Sequence, residues 1–118
     1  MDAPNHKRAR GNKAETIAAD LLAAEGYQVI ERNFAAELGE LDIIARDGDV
    51  LVFVEVRSRA DGEHGDAVEM VGRGKQRRVA RGAERYLAAR RPDYDQARFD
   101  VIGITGDHAV LIKDAFRV

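Results

Sequence analysis

The stretch Gly39-Glu40-Leu41-Asp42-Ile43-Ile44-Ala45-Arg46-Asp47-Gly48-Asp49-Val50-Leu51-Val52-Phe53-Val54-Glu55-Val56-Arg57 decides the fold. Two apolar, β-branched runs flank an Asp-Gly turn, the strongest short-range hairpin signal a sequence offers. Each run holds a carboxylate among residues suited to burial: Asp42 between Leu41 and Ile43, Glu55 between Val54 and Val56. An unpaired buried carboxylate costs several kcal/mol, so such an acid has a partner or a job.

Two hairpin registers are open. If Gly48-Asp49 is the two-residue loop, Asp47 pairs with Val50 and Asp42 stands directly opposite Glu55. If Asp47-Gly48 is the loop, which type I′ geometry prefers, Asp42 opposes Phe53 and Glu55 opposes Glu40. Opposed residues share a face and the face repeats every second residue. Either register therefore places Glu40, Asp42, Phe53, Glu55 and Arg57 on one side of the sheet; a three-residue loop without a bulge would separate them. Like charges opposed across a ladder destabilise it unless a cation lies between them.

The chain has 118 residues, which fits one domain burying roughly two thirds of its unfolded surface. Residues 1–11, with His6, Lys7, Arg8 and Arg10, read as a flexible basic arm, and 12–118 as the single domain. Cysteine is absent, so disulfides and thiolate metal sites are excluded, and a reducing compartment fits. Met1 to Lys13 lacks the apolar core of a secretory signal, and the longest apolar run, Val50 to Val54, is far short of a membrane span. A cytoplasmic protein with no membrane contact is expected.

A net charge of −2 conceals segregation. Residues 35–69 carry ten acids against three basic residues, whereas residues 73–91 carry eight basic residues against Glu84 alone. An acidic centre is thus followed by a basic helix.

In chain order, a helix is predicted from an Asn12 cap to Gly26, with Ala14, Ile17, Ala18, Leu21 and Leu22 as its apolar face. A strand near a sheet edge follows over Tyr27–Phe34. The hairpin places Leu41, Ile43, Val52, Val54 and Val56 on one face and Ile44, Leu51 and Phe53 on the other. Strands apolar on both faces belong inside an α/β layer structure. A polar loop over Ser58–Asp66 and a short helical turn over Ala67–Val71 precede a helix over Lys75–Arg90, whose buried stripe is Val79, Ala83, Tyr86 and Leu87. Pro92 ends it. Strands over Ala97–Thr105 and Ala109–Ile112, joined by a Gly106-Asp107-His108 turn, complete an order α-β-β-β-α-β-β.

Four groups of residues carry candidate chemistry. Asp42 and Glu55, with the carbonyl of Val56 as a third donor, suit a hard cation such as magnesium, which takes one or two carboxylates plus water and substrate phosphate. A metal held there polarises a phosphodiester and activates water; the plainer alternative is a structural pairing with Arg57 or another cation. Arg57 either neutralises phosphorane charge or serves as counter-ion to Glu55, and it does not accept protons, its pKa lying above roughly 12. Glu15 has capping-box spacing from Asn12, and would become a ligand only if its helix crosses the carboxylate face. Lys75, Arg77, Arg78, Arg81 and Arg85 lie on the basic helix, where Arg77, Arg81 and Arg85 form a stripe spaced by four. Such a stripe is the footprint of phosphate binding, or else a solvated face. Tyr86 and Tyr94 read as packing residues. Gly74-Lys75 is not a P-loop, and His6, His64 and His108 have no ligand spacing.

Asp42 followed by Glu55-Val56-Arg57 on a hairpin, after a helix carrying Glu15, resembles the PD-(D/E)XK nuclease core. Gly39-Glu40-Leu41-Asp42-Ile43-Ile44-Ala45, Phe53-Val54-Glu55-Val56-Arg57-Ser58-Arg59 and Arg98-Phe99-Asp100-Val101-Ile102 resemble the YraN-like family of uncharacterised bacterial proteins, uncharacterised protein family 0102. Ala14-Glu15, Gly26-Tyr27 and Arg32-Asn33 extend the likeness over nearly the whole chain. The family is similar to archaeal Holliday-junction resolvases. The resemblance implies a restriction-endonuclease-like core with a mixed central sheet flanked by helices. It further implies Asp42 and Glu55 as ligands of magnesium or manganese, Glu15 assisting, structured or branched DNA as substrate, and a homodimer. The motif's lysine position holds Arg57, so proton transfer there is lost. Metal-bound water is deprotonated without that residue, or Lys75 substitutes, or the protein binds DNA without cutting it.

Overall fold

The computed structural model describes residues 3–36, 39–59 and 71–117, with side chains described over 13–34, 41–58 and 71–117. The elements are α1 (Ala3–Ala24), β1 (Gln28–Ala36), β2 (Gly39–Asp47), β3 (Val50–Arg59), α2 (Arg73–Arg90), β4 (Gln96–Thr105) and β5 (His108–Phe116), in the predicted order. One five-stranded sheet runs β1-β2-β3-β4-β5. It is antiparallel except between β3 and β4, which pair in parallel from Val50↔Gln96 to Arg59↔Thr105. The chain between β3 and β4 contains α2, the crossover that a parallel pair requires. This is the expected mixed central sheet flanked by helices.

Each sheet face carries one helix. Ala14, Ile17, Ala18, Leu21 and Leu22 of α1 pack on Ile43, Ala45, Val52, Val54, Ile102 and Ile104. On the other face Val79, Ala83, Tyr86 and Leu87 of α2 pack on Ile44, Leu51, Phe53 and Val101. The strands are thus covered on both sides, and their apolar residues serve two cores. Tyr86 meets Phe34 and Phe53 edge to face, at centroid distances of 5.2 and 5.9 Å, a geometry that adds about 0.5–1.5 kcal/mol per pair to area burial.

The β2–β3 and β4–β5 hairpins use the same loop chemistry. Asp47↔Val50 and Thr105↔His108 close on Gly48-Asp49 and Gly106-Asp107, with the glycines at φ 60° and 59°. Only the first loop residue has positive φ, as a type II′ turn requires, so glycine leads and aspartate follows. Of the two open registers, the loop is therefore Gly48-Asp49. His108 belongs to β5, not to the turn.

α1 ends where glycine predicts it to end. Gly26, at φ 90°, directs its N–H to the carbonyl of Ala23 (3.1 Å), and Tyr27 N–H reaches Leu22 O (2.9 Å). This is a Schellman motif, sealed by packing of Tyr27 near Leu22. Its start differs from expectation. α1 begins at Ala3, so residues 3–11, expected as an arm, are helical, and Asn12 lies inside the helix rather than at its cap. Pro4 falls in the first turn, where its missing N–H costs nothing. α2 begins at Arg73 and ends on Arg91, at φ 47°, ahead of Pro92.

Three further differences have local causes. Leu41 sits with Phe34 on the α2 side, not with Ile43. The alternation breaks there because Asn33 opposite takes φ 58° and β2 leaves the β3 ladder after Ile43↔Val54. β5 runs on to Phe116, past the expected Ile112, by way of an irregularity between Phe99 and Val101. Tyr94 is 43% exposed and does not pack in the core. Residues 67–70 of the expected turn and most of the 58–66 loop lie outside the described residues. Among the described residues, no helix is long and apolar enough to cross a membrane.

Candidate active site

The last β2–β3 pair is Ile43↔Val54, and one step further the strands part. The backbone ladder is replaced there by a side chain: Asp42 Oδ2 accepts the N–H of Val56 at 2.9 Å. β3 continues in register with β4 through Glu55↔Val101 and Val56↔Ile102, so Glu55 stands on a strand fixed from one side and opened on the other. Alternation along β3 puts Glu55 on the face of Leu51 and Phe53, beneath α2.

Glu55 is 2% exposed. Its carboxyl is pushed up to about 8, first by burial and then by the adjacent Asp42 carboxylate, which also shares a hydrogen bond with it. Lys75, from the first turn of α2, acts in the opposite sense: its Nζ stands 3.2 Å from Glu55 Oε2. Burial and the second acid outweigh the ammonium. Arg57 Nη1 lies 3.8 Å from the same oxygen, and its side chain is 40% exposed. That distance is too long for a hydrogen bond, and a pair so open to water is worth about 0–1 kcal/mol.

The predicted site residues therefore divide. Asp42, Glu55, Val56, Lys75 and Arg57 come together, Val56 through its N–H. Glu15 is directed elsewhere. It is buried on α1, with Arg32 Nη2 at 3.8 Å from Oε1 while the same nitrogen donates to Thr16 Oγ1 at 3.3 Å. With Asn12 inside α1, Glu15 forms no capping box either. Among the described residues, no three histidines or acids gather as a ligand set; the side chain of Glu40 is not among them. Arg77, Arg78, Arg81 and Arg85 lie along α2, all four exposed on its solvent side. Lys75, grouped with them by sequence, instead turns under the helix to the acids.

A second polar cluster escapes the reading of the sequence as a site. Asp100, fully buried on β4, accepts from Tyr27 Oη (2.7 Å), Arg98 Nε (2.9 Å) and the N–H of Asp114 (2.9 Å). Arg98 Nη2 also reaches Asp47 Oδ2 and the Tyr27 oxygen, each at 2.7 Å. Burial and Asp100 raise the Tyr27 hydroxyl, and the Arg98 hydrogen bond holds Asp47 below the usual carboxylate range. The cluster ties the hairpin turn, β1 and the β5 irregularity together, with Asp114 at φ 53° aiming its N–H at Asp100. Its sequence signal is the one that exposes Glu55, an acid between apolar strand residues with an arginine two positions away on the same face.

Fold and site together define a class: a small α/β domain whose mixed sheet opens beside its central strand around a pair of acids, Glu55 buried and Asp42 half-buried, with a lysine from the crossover helix. Residues 14–104 match the profile of the family described as Uncharacterised protein family UPF0102. A UPF0102 protein of Chromohalobacter salexigens is 47% identical over 102 residues, covering 86% of this chain and 82% of the relative. One of Syntrophus aciditrophicus is 43% identical over 112 residues, 92% and 88% respectively. One of Nitrosococcus oceani is 40% identical over 124 residues, 98% and 97%. The chain belongs to family UPF0102.

Proposed function

We propose that this chain is a magnesium-dependent endonuclease of the PD-(D/E)XK type, hydrolysing phosphodiesters in structured or branched DNA as a cytoplasmic homodimer. One observation carries the reading: two carboxylates, half-buried Asp42 and buried Glu55, held in mutual contact at the point where the sheet opens. No packing requirement explains it, because an apolar pair of similar volume would avoid the desolvation cost.

The donor set fits a hard cation. Two carboxylates are what magnesium takes from a protein when water and substrate phosphate complete its shell, and manganese accepts the same oxygens. When bound, the ion polarises the phosphodiester and lowers the pKa of a water molecule. The protein's own residues do the rest. Val56 N–H fixes one oxygen of Asp42 and so orients the other. Glu55 keeps its proton near neutral pH and gives it up when a cation takes the site. Arg77, Arg78, Arg81 and Arg85 bind backbone phosphates along the exposed side of α2.

A cleavage panel with single-stranded, duplex, flap and four-way DNA tests this. Magnesium-dependent cutting by the wild type, abolished in both Asp42→Ala and Glu55→Ala, is expected. Equal residual activity in the variants would assign the cutting to something else.

A second reading is favoured by Arg57 at the motif lysine position, where an arginine keeps the charge but cannot exchange a proton. It holds that the chain keeps the nuclease fold and binds nucleic acid without cutting. Salt-sensitive DNA binding that survives both substitutions, with no cleavage by the wild type, would select it.

A further inference from the structure

We propose that the crossover helix supplies the lysine of this site: Lys75 of α2, rather than Arg57 of β3, is the cationic side chain that completes the Asp42–Glu55 pair. The inference rests on the nuclease reading for its chemistry and on geometry for its assignment.

Two cations approach the same oxygen of Glu55. Lys75 Nζ is at 3.2 Å, with its side chain 21% exposed; Arg57 Nη1 is at 3.8 Å, with 40% exposed. Only the first is within hydrogen-bond reach. The chemistry separates them as well. An ammonium has three donors, so one bond to Glu55 leaves two for a phosphate oxygen or a water molecule. The guanidinium of Arg57 stays charged throughout and exchanges no proton.

The position of Lys75 makes little sense as helix chemistry. It lies in the first turn of α2, where the macrodipole favours acids, yet that turn contains no acid. Gly72 offers no side-chain cap either. The turn is fixed by other means. Val71 is buried in the core, Gln76 Nε2 donates to the Val71 carbonyl at 2.9 Å, and Gln76 N–H donates to Gly72 O at 2.9 Å. Val79, one turn on, is buried. The cation is therefore projected from an anchored turn into an acid pair, at a cost to the helix that the acids offset.

The same helix carries Arg77, Arg78, Arg81 and Arg85. A helix is rigid over such a span, so phosphates held by those arginines lie at set distances from Lys75. DNA positioning and the site's ammonium are thus carried by one element, which β3 could not do through Arg57. In the reaction, water forms a new P–O bond and the bond to the leaving sugar oxygen breaks. The water loses one proton to solvent and the leaving oxygen gains one, while Lys75 donates to a non-bridging oxygen as its charge grows.

The test uses the full chain and the branched DNA of the cleavage panel. Single-turnover rates are measured for Lys75→Met, Lys75→Arg and Arg57→Met, with DNA affinity measured separately in calcium. Lys75→Met is expected to lower the rate at least about 100-fold, the usual scale for removing a positioned donor, with affinity within about threefold. Lys75→Arg, which keeps the charge, recovers part of that loss, and Arg57→Met changes the rate less than about fivefold. A larger loss in Arg57→Met than in Lys75→Met, or a Lys75→Met loss matched by an equal loss of affinity, overturns the proposal. If the wild type cuts nothing, the nuclease reading fails and manganese decides the assignment alone. Sub-stoichiometric Mn2+ should broaden the ε-methylene NMR signal of Lys75 before those of Lys13 and Lys113, and not in Asp42→Asn. Broadening at Asp42 that spares Lys75 removes Lys75 from the site.

Discussion

Replacing Glu55 by glutamine is the perturbation that most sharply separates a strained ligand site from a structural ion pair. The carboxyl is raised from an ordinary value of 4.5 to about 8, mainly by burial and by Asp42. A carboxyl whose folded-state pKa is raised favours folding while protonated, and that advantage is lost as pH climbs from the unfolded value through the folded one. At 1.36 kcal/mol per unit, the wild type should lose about 3 kcal/mol between pH 4.5 and 7, and about 5 kcal/mol by pH 9. The amide of the Glu55→Gln variant imitates the protonated acid: its NH2 donates to Asp42 and its carbonyl oxygen accepts from Lys75. Urea titrations at intervals from pH 5 to 9 should therefore show Glu55→Gln overtaking the wild type with rising pH, the gap flattening above pH 8. Parallel stability curves for the two proteins would refute the reasoning. So would a wild type that gains stability over Glu55→Gln toward high pH, since that is the behaviour of a carboxylate stabilised by its cation.

The Asp100 cluster should be structural. Asp100→Ala leaves Arg98 paired with Asp47 alone and takes the acceptor from the Tyr27 hydroxyl and the Asp114 N–H, and is expected to cost about 3–5 kcal/mol by denaturant titration. Tyr27→Phe, which removes the hydroxyl's bond to Asp100 and the one it accepts from Arg98, should cost about 1–2 kcal/mol. Gly26→Ala forces an L side chain to φ 90° and should lower stability by about 1–2 kcal/mol with no change in DNA affinity. Arg81→Ala combined with Arg85→Ala should reduce the slope of log affinity against log salt by about 2, uniformly across DNA sequences, when measured by fluorescence anisotropy. An unchanged slope would place DNA elsewhere on the molecule.

Much of this is legible in the sequence because it depends on local chemistry. The hairpin follows from the β-branched runs around Gly48, and the Asp42–Glu55 meeting follows from counting outward once Asp47 pairs with Val50. Gly26 and Pro92 mark helix ends because few other residues suit those backbones. What is not legible depends on docking. The sequence places Lys75 beside the arginine stripe and offers it as one of three answers to the absent motif lysine; the seating of α2 on the sheet is what sets it against Glu55. Glu15 has the spacing of a capping box because Asn12 stands three residues earlier, yet the helix begins well upstream, at Ala3 with Pro4 in its first turn. β5 reads short because Lys113 and Asp114 break its alternation, and that break is where Asp114 supplies its N–H to Asp100.

Calorimetric titration with Mn2+ at pH 7, in PIPES and in Tris, tests most directly whether Asp42 and Glu55 act together as a cation site. The predicted result is one ion bound per chain with about one proton released, because Glu55 with a pKa of about 8 must ionise to bind, and loss of that binding in both Asp42→Asn and Glu55→Gln. Binding that persists unchanged in the two variants, or that releases no proton, would contradict it.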